Sequence, residues 1–209
     1  MITLQNGGGS VNRSHGHHHR AWTREQLSRL ENPERVHLMP PMPVLQAIDA
    51  PSGGAVADVG AGLGWLTFPL AVRVGNSGTV WAIDPSRDGI EVIRARARQE
   101  SLNQIRTVLA PAEDTGLDAQ TVDRIVWHTM YHDVADRQAA IREMYRILRP
   151  DGRWVIVDWE KRPMVQGPPL EVRIAPEEVE KEVTAAGFSV RDRWSAGPVT
   201  WGLTLEKPR

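Results

Sequence analysis

Residues 56–71, VADVGAGLGWLTFPLA, decide the fold of this 209-residue chain. An apolar run ends near Asp58, glycines occupy positions 60, 62 and 64, and an apolar helical pattern follows. Glycine has no Cβ, so such a turn can be tight and a ligand can touch its backbone. The stretch predicts a buried strand, a ligand-binding loop and a helix in succession, and a loop that only closes a tight turn is the alternative.

A second carboxylate supports the ligand-binding interpretation. Asp84 ends the next apolar run, TVWAID, 20 residues after Gly64. A carboxylate at this place can accept hydrogen bonds from both ribose hydroxyls of an adenosine. Nicotinamide cofactors are held in a similar way, but their GxGxxG fingerprint requires a third glycine or alanine, and here Trp65 follows Gly64. The loop therefore suits a nucleoside without phosphates better than a dinucleotide.

Strand and helix patterns alternate from Ala55 onwards, which is typical of a parallel sheet covered on both faces. The predicted strands cover residues 55–59, 79–84, 105–110, 123–128 and 153–159, with a closing pair over 188–194 and 199–206. Helices are predicted over 136–148 and 176–186, where apolar residues recur at helical spacing. These elements predict a single α/β domain.

The chain before Ala55 has a different character. Residues 1–20 are rich in glycine and histidine and are predicted to form a flexible arm. Residues 21–50 are predicted to form a helical lid on a domain that spans 21–209. Its two helices are expected over Thr23 to Leu30 and, after a proline-rich extended stretch, over Val44 to Ala50.

The arm contains a histidine cluster, HGHHH, formed by His15 and by His17 to His19. Neutral imidazole is a good ligand for zinc, nickel or copper. No neighbouring carboxylate or cysteine completes a ligand set, so the cluster is interpreted as part of an unstructured basic arm and no metal site is predicted.

Composition narrows the classes of partner. Lysine and arginine number 25 against 26 acidic residues, so there is no surplus of positive charge for nucleic acid. The chain has no cysteine, which excludes disulfides, thiolate metal sites and a cysteine nucleophile. No stretch approaches the roughly 18 to 20 apolar residues of a membrane span, and the first twenty residues lack the apolar core of a secretory signal. We therefore expect a cytoplasmic protein.

Five segments together resemble class I S-adenosylmethionine-dependent methyltransferases, in particular bacterial predicted small-molecule methyltransferases of the ubiquinone and menaquinone biosynthesis type. In chain order they are DVGAGLGWLTFPLA, WAIDPS, LAPAEDTGL, DRIVWHTMYHDV and ILRPDGRWVIVDW. The resemblance implies a Rossmann-like, seven-stranded, mostly parallel sheet with helices on both faces and an antiparallel last strand. It also implies S-adenosylmethionine as the cofactor.

The resemblance assigns the cofactor to residues near the strand ends. The glycine loop and Asp58 would surround the methionine part, Asp84 would hold the ribose, and His128 would lie near the sulfonium. Where the family often has an aspartate this chain has Pro111, which leaves adenine recognition to the residues that follow it. The cofactor-binding residues implied in this way are Asp58, Gly60, Ala61, Gly62, Gly64, Asp84, Pro85, Ala112, Glu113 and His128.

Methyl transfer is an in-line displacement, so the enzyme mainly aligns the nucleophile, the methyl group and the sulfur. An oxygen or nitrogen nucleophile also needs a proton acceptor. The candidate is His132, with Tyr131 beside it, and a histidine that only shapes the pocket wall is the alternative. Asp158 and Trp159 end the fifth predicted strand and are candidates for the acceptor site, because ligands bind at the carboxyl ends of parallel strands. Trp22 is a further candidate that would close this site from the N-terminal side.

The predicted function is transfer of a methyl group from S-adenosylmethionine to a small-molecule acceptor. Methylation of nucleic-acid bases usually goes with an Asn/Asp-Pro-Pro-aromatic motif after the fourth strand, and this chain has WHTMYH there. Two alternatives stay open at this point: a catalytically silent cofactor-binding module and an NAD(P)-dependent reductase.

Overall fold

The computed structural model describes residues 33–209, and a seven-stranded sheet runs through them. Its strands are β1 (Ala55–Val59), β2 (Thr79–Asp84), β3 (Ile105–Leu109), β4 (Val122–His128), β5 (Leu148–Trp159), β6 (Ser189–Gly197) and β7 (Thr200–Glu206). The predicted strands agree with these bounds to within one residue, except that β5 begins at Leu148 rather than Arg153 and β6 continues to Gly197. The early part of β5 meets β4 through a register shift between Val122 and Arg124, which the sequence pattern does not reveal.

Helices connect the strands and cover both faces of the sheet. They are α1 (Arg35–Leu38), α2 (Pro41–Ile48), α3 (Thr67–Val74), α4 (Arg87–Gln99), α5 (Arg137–Ile147) and α6 (Pro176–Ala185). None of these helices is long and apolar enough to cross a membrane. The N-terminal arm, Trp22 and the helix expected over Thr23 to Leu30 lie outside the described residues.

Helix α2 begins at Pro41 and not at Val44, so the sequence interpretation of this proline-rich stretch was wrong. Pro40 is extended, with φ −61° and ψ 134°, and Pro41 occupies the first turn of the helix. Proline fits there because the N–H that it lacks would have no partner within the helix. The prolines therefore start the helix instead of delaying it.

The strand order is β3-β2-β1-β4-β5-β7-β6. Strands β1 to β5 pair in parallel, and β7 is antiparallel to both β5 and β6. This confirms the predicted fold class. The chain moves outward from β1 to β3 and then returns to place β4 on the other side of β1. Such a reversal opens a crevice at the carboxyl ends of β1 and β4, where open α/β sheets bind their ligands.

Alternate residues of the central strands face opposite sides of the sheet. Ile125 and Trp127 belong to the core formed with α5 and α6, whereas Val126 and Val155 belong to the core formed with α2 and α3. The Trp127 ring meets that of Trp154 edge-on, with 4.9 Å between the centroids. Because both faces are buried, the strand ends that carry the site rest on a rigid scaffold.

Candidate functional site

A cavity of about 650 Å³ lies at the carboxyl ends of the parallel strands. It gathers most of the site residues predicted from the sequence. Those that line it are Asp58, Gly60, Ala61, Gly62, Asp84, Pro85, Ala112, Glu113, His128, His132 and Trp159. Gly64, Tyr131 and Asp158 lie apart from its lining, and Trp22 is outside the described residues.

The Asp84 carboxylate is fixed at the end of β2 by backbone donors. Gly62 N–H donates to its Oδ2 at 2.8 Å, and Ser86 N–H donates to its Oδ1 at 2.7 Å. A carboxylate oxygen can accept two hydrogen bonds, so each oxygen keeps one acceptor position for the cavity. Burial raises the pKa of Asp84, against the effect of these two hydrogen bonds. The result is an oriented pair of acceptors that matches a vicinal diol.

The glycine loop places backbone against the cavity. Gly60 N–H and Ala61 N–H both donate to the carbonyl of Ile83, which ties the loop to β2. Gly60 has φ +72°, and a Cβ there would lie 2.6 Å from Met130 Sδ. A side chain at this position would therefore be strained and would collide with the cavity wall.

Gly64 lies apart from the cavity lining and packs closely against neighbouring helices. It has φ +86°, and a Cβ there would lie 2.5 Å from the Phe68 ring and 3.3 Å from Ile93. The residue is thus required where α3 and α4 approach the loop. The three alternating glycines look alike in the sequence, and only their neighbours distinguish the one that supports the helices.

Asp58 is buried at the end of β1. Thr67 Oγ donates to its Oδ2 at 2.5 Å. Burial raises the pKa of Asp58 to about 7, the Thr67 hydrogen bond opposes this rise, and the charge of Asp84 adds to it. The positive charge of Arg35 acts in the opposite direction. Asp58 is therefore a carboxylate that a cationic ligand would stabilise.

His128 ends β4 and stays neutral. Burial lowers its pKa to about 3, and the charge of Arg35 acts in the same direction. Its Nδ1 is buried without a hydrogen-bond partner among the described residues. Buried polar atoms in native proteins nearly always have partners, so this nitrogen marks a place that a ligand completes.

At the adenine edge implied by the resemblance, Ala112 is buried and Glu113 accepts a hydrogen bond from Asp136 N–H at 3.2 Å. Pro111 also lines the cavity here. Proline has no N–H, so the backbone donors of this edge begin at Ala112.

His132, which follows β4, forms a dyad with Asp158, which lies near the carboxyl end of β5. Its Nδ1 lies 2.8 Å from Asp158 Oδ1, and its backbone N–H donates to Oδ2 of the same carboxylate at 3.1 Å. Burial lowers the pKa of His132, but the charge of Asp158 and its hydrogen bond outweigh burial and raise it. A carboxylate at Nδ1 fixes the tautomer that leaves Nε2 as the proton acceptor. Nε2 lies 3.5 Å from Asp133 Oδ2, a second carboxylate that favours the protonated ring.

Tyr131 does not join this dyad. It is fully buried, and its hydroxyl donates to Glu182 Oε2 at 2.7 Å. Arg137 holds the same carboxylate through a bidentate contact of 2.9 Å at each oxygen. Tyr131 therefore belongs to the core packed around Trp127, although it directly precedes His132 in the sequence.

Residues 160–172 form a roof loop beside Trp159. Arg173 is buried, and its guanidinium donates to the carbonyls of Glu160, Arg162, Gln166 and Pro168 at 2.8 to 3.3 Å. Gly167 has φ +88°, and a Cβ there would lie 2.6 Å from the Trp159 indole. The loop is thus held closely over the indole, and the segment 166–169 lines the cavity.

Two residues that line the cavity, Arg35 and Trp65, were not predicted as site residues. Arg35 comes from the short helix α1, and Trp65 directly follows the last glycine of the loop. Trp65 entered the sequence interpretation only as an obstacle to a dinucleotide. Nothing in the spacing of Arg35, 23 residues before Asp58, links it to the strand ends.

Comparison with known proteins agrees with this geometry. Residues 56–152 match the family model described as a methyltransferase domain. The chain is 32% identical over 107 residues to the ubiquinone/menaquinone biosynthesis C-methyltransferase UbiE of Geotalea daltonii, a match that covers 51% of this chain and 46% of that protein. It is 32% identical over 110 residues to the nocamycin O-methyltransferase of Saccharothrix syringae, covering 53% and 39%.

Among solved structures, a S-adenosylmethionine-dependent methyltransferase from Aquifex aeolicus superimposes with a TM-score of 0.83 at 25% identity. The match covers 88% of this chain and 98% of that one. Residues 56–152 thus carry a methyltransferase domain, and the described residues share the fold of that S-adenosylmethionine-dependent methyltransferase, in agreement with the motifs. S-adenosylmethionine is the cofactor of such domains. The chain spans less than half the length of the two curated relatives named above.

Proposed function

We propose that this protein transfers a methyl group from S-adenosylmethionine to a small organic acceptor that loses a proton in the reaction. One observation carries the proposal: a single cavity joins the Asp58 and Asp84 carboxylates, at the ends of β1 and β2, to the His132–Asp158 dyad. A module that only binds the cofactor has no need of an oriented proton acceptor beside it.

The residues present fit the cofactor. The free acceptor positions of Asp84 suit the two ribose hydroxyls, and Asp58 suits a cationic group of the methionine part. Ala112 offers backbone at the adenine edge. Asp58 lies beside the glycine loop, where a dinucleotide would place its pyrophosphate, and a carboxylate repels such a group. The arrangement therefore favours a sulfonium nucleoside over a nicotinamide cofactor.

When bound, the cofactor supplies a methyl group activated by the positive sulfur, and the sulfur keeps the electron pair of the broken bond. His132 Nε2 takes the proton that the acceptor loses as its new bond to the methyl group forms. Asp158 holds the ring and stabilises the imidazolium, in the way that a buried carboxylate supports a histidine base. The rigid strand ends hold these groups in line, which accounts for much of the rate of such displacements.

The acceptor end of the cavity is bounded by apolar groups. Trp159, Met130 and Val134 line it together with Pro168 and Pro169 of the roof loop. This lining suits a flat or apolar organic molecule whose reactive O–H, N–H or acidic C–H reaches His132. The relatives named as C- and O-methyltransferases support the carbon and oxygen nucleophiles of that range.

Transfer is tested with labelled cofactor. The protein is incubated with S-adenosylmethionine carrying an isotopic methyl group and with fractionated small-molecule extract, and methylated products are detected by mass spectrometry. We expect label in an organic product and formation of S-adenosylhomocysteine. A thermal-shift comparison should show that S-adenosylhomocysteine raises the unfolding midpoint and that NADH leaves it unchanged, because only a ligand of the folded state raises the midpoint. Tight cofactor binding without any transfer would contradict the proposal and favour a silent module.

Asp84→Ala is expected to weaken the binding of S-adenosylhomocysteine roughly 10-fold to 100-fold, since hydrogen bonds to a charged group contribute about 1.5–3 kcal/mol. Calorimetric titration measures the change. Asp88→Ala is the matched control, because Asp88 is an exposed acidic residue close by in α4 that does not line the cavity. Equal affinities for the Asp84 variant and the wild type would remove the ribose assignment.

A further inference from the structure

Three buried nitrogen atoms on one side of the cavity have no hydrogen-bond partner in the described part of the chain. They are Arg35 Nε, Trp65 Nε1 and His128 Nδ1, and all three residues line the cavity. Leaving one buried donor unsatisfied costs about 1–3 kcal/mol. Arg35 Nε and Trp65 Nε1 are donors and indicate a ligand with acceptor atoms, whereas His128 Nδ1 takes either role according to its tautomer.

The charge of this wall indicates what that ligand carries. Burial lowers the pKa of Arg35 to about 10, so its guanidinium remains a cation at neutral pH. The indole and guanidinium nitrogens are donors only. An anionic acceptor that uses several donors at once is therefore the complementary group, and a carboxylate is the common one that matches a guanidinium.

Arg35 and Trp65 are arranged as a unit. The guanidinium carbon lies 4.9 Å from the centroid of the Trp65 ring. Stacking of this kind orients the plane of a guanidinium and leaves its edge free to donate. The unit is close enough to Asp58 for the charges of Arg35 and Asp58 to act on each other.

The wall thus presents one cation and one anion side by side. An α-amino acid group has the reverse pattern, a carboxylate next to an ammonium. We propose that Arg35 and Trp65 bind the carboxylate of the cofactor's amino acid group while Asp58 binds its ammonium. This inference rests on the proposed function for the identity of the cofactor. It assigns the short helix α1, which lies outside the matched family segment, a direct part in cofactor binding.

The test compares S-adenosylmethionine with decarboxylated S-adenosylmethionine, which keeps the sulfonium and the ammonium and lacks only the carboxylate. Calorimetric titration of the full chain gives both dissociation constants. We expect the wild type to bind the decarboxylated form roughly 10-fold to 100-fold more weakly, as for loss of hydrogen bonds to a charged group. Arg35→Ala should weaken the binding of S-adenosylmethionine by a similar factor and leave the binding of the decarboxylated form nearly unchanged.

Two further variants sharpen the comparison. Trp65→Phe removes the indole N–H and keeps an aromatic ring under the guanidinium. This variant should therefore show a smaller difference in affinity between S-adenosylmethionine and the decarboxylated form than the wild type does. Arg87→Ala removes an exposed arginine in the first turn of α4 that does not line the cavity, and it should change neither constant. Thermal unfolding of each variant checks that the fold is retained.

The outcomes separate this inference from the proposed function. Equal affinities of the wild type for the two compounds would overturn the carboxylate site even if methyl transfer is observed. Arg35→Ala weakening both compounds by the same factor would also overturn it, because a change of cavity shape would then explain the loss. Discrimination by the wild type that Arg35→Ala abolishes would support it, even in a protein that transfers no methyl group.

Discussion

His132→Ala is expected to lower the turnover of an O–H or N–H acceptor by roughly 10²-fold to 10⁴-fold, the usual contribution of a positioned base. The affinity for S-adenosylhomocysteine should remain close to that of the wild type, because the proposed role concerns the acceptor proton. Steady-state rates and calorimetric titration measure the two quantities. His37→Ala, at an exposed histidine that does not line the cavity, should leave both unchanged. Unaltered turnover in the His132 variant would assign that residue to the pocket wall only.

The pH dependence provides a second measure of the same dyad. The base must be neutral, so the rate should rise with pH through the pKa of His132, which lies above its ordinary value of 6.5. Asp158→Asn removes the charge that raises this pKa. The acidic limb of the pH–rate profile should then move to lower pH while the maximum rate falls. A profile that stays in place would show that another group titrates there.

The second large effect is expected from Asp58→Asn, which should weaken cofactor binding and stabilise the protein without cofactor. Asparagine is close in size to aspartate and can still accept the Thr67 hydrogen bond. The pKa of Asp58 is raised from 3.8 to about 7. At about 1.4 kcal/mol per unit, its ionisation lowers the free energy of unfolding by up to about 4 kcal/mol.

The raised pKa of Asp58 determines the pH range in which the Asp58→Asn substitution stabilises the protein. With a raised pKa in the folded state, Asp58 contributes its full stability below pH 3.8 and loses it as the pH rises to about 7. The difference in Tm between the asparagine variant and the wild type should therefore be small near pH 4 and largest above pH 7. Asp118→Asn, at an exposed acidic residue, should show no such trend. A constant difference across this range would refute the assignment.

The same variant should bind S-adenosylhomocysteine roughly 30-fold to 5000-fold more weakly, because truncating one partner of a buried charge pair costs about 2–5 kcal/mol. In the wild type, affinity should fall as the pH is lowered below about 7, where Asp58 becomes protonated. Titration at several pH values measures both effects. Stability and ligand binding thus make opposite demands on this carboxyl group.

Most of the framework followed from the sequence because its signals are local. Strands β1 and β2 were predicted to the residue, since each is a short apolar run that ends at a turn. The carboxylates at their ends, Asp58 and Asp84, could be placed in one site because carboxyl ends of parallel strands meet at one edge. His132 entered the cavity for the same reason.

The remainder depends on contacts between distant parts of the chain. Neighbouring positions 131 and 132 point to different partners, Glu182 and Asp158, and no periodic pattern distinguishes them within a three-residue helical turn. Arg35 reaches the cavity from a four-residue helix far along the chain from β4. Sequence motifs identify the ends of a sheet, whereas lids and loops are brought there by tertiary packing.

Arg173 anchors the roof loop through hydrogen bonds to four of its main-chain oxygens and to none of its side chains. These four hydrogen bonds are therefore independent of the side chains at positions 166 and 169, provided that Gly167 keeps its place on the Trp159 indole. Lys161 and Arg162 add anchors of their own, to Glu178 and to the carbonyl of Pro198. Directed evolution toward new acceptors can accordingly randomise Gln166 and Pro169, which line the cavity, while leaving the anchoring arginine untouched. At these two positions the backbone anchors are separate from the side-chain chemistry, which makes them suitable for substitution.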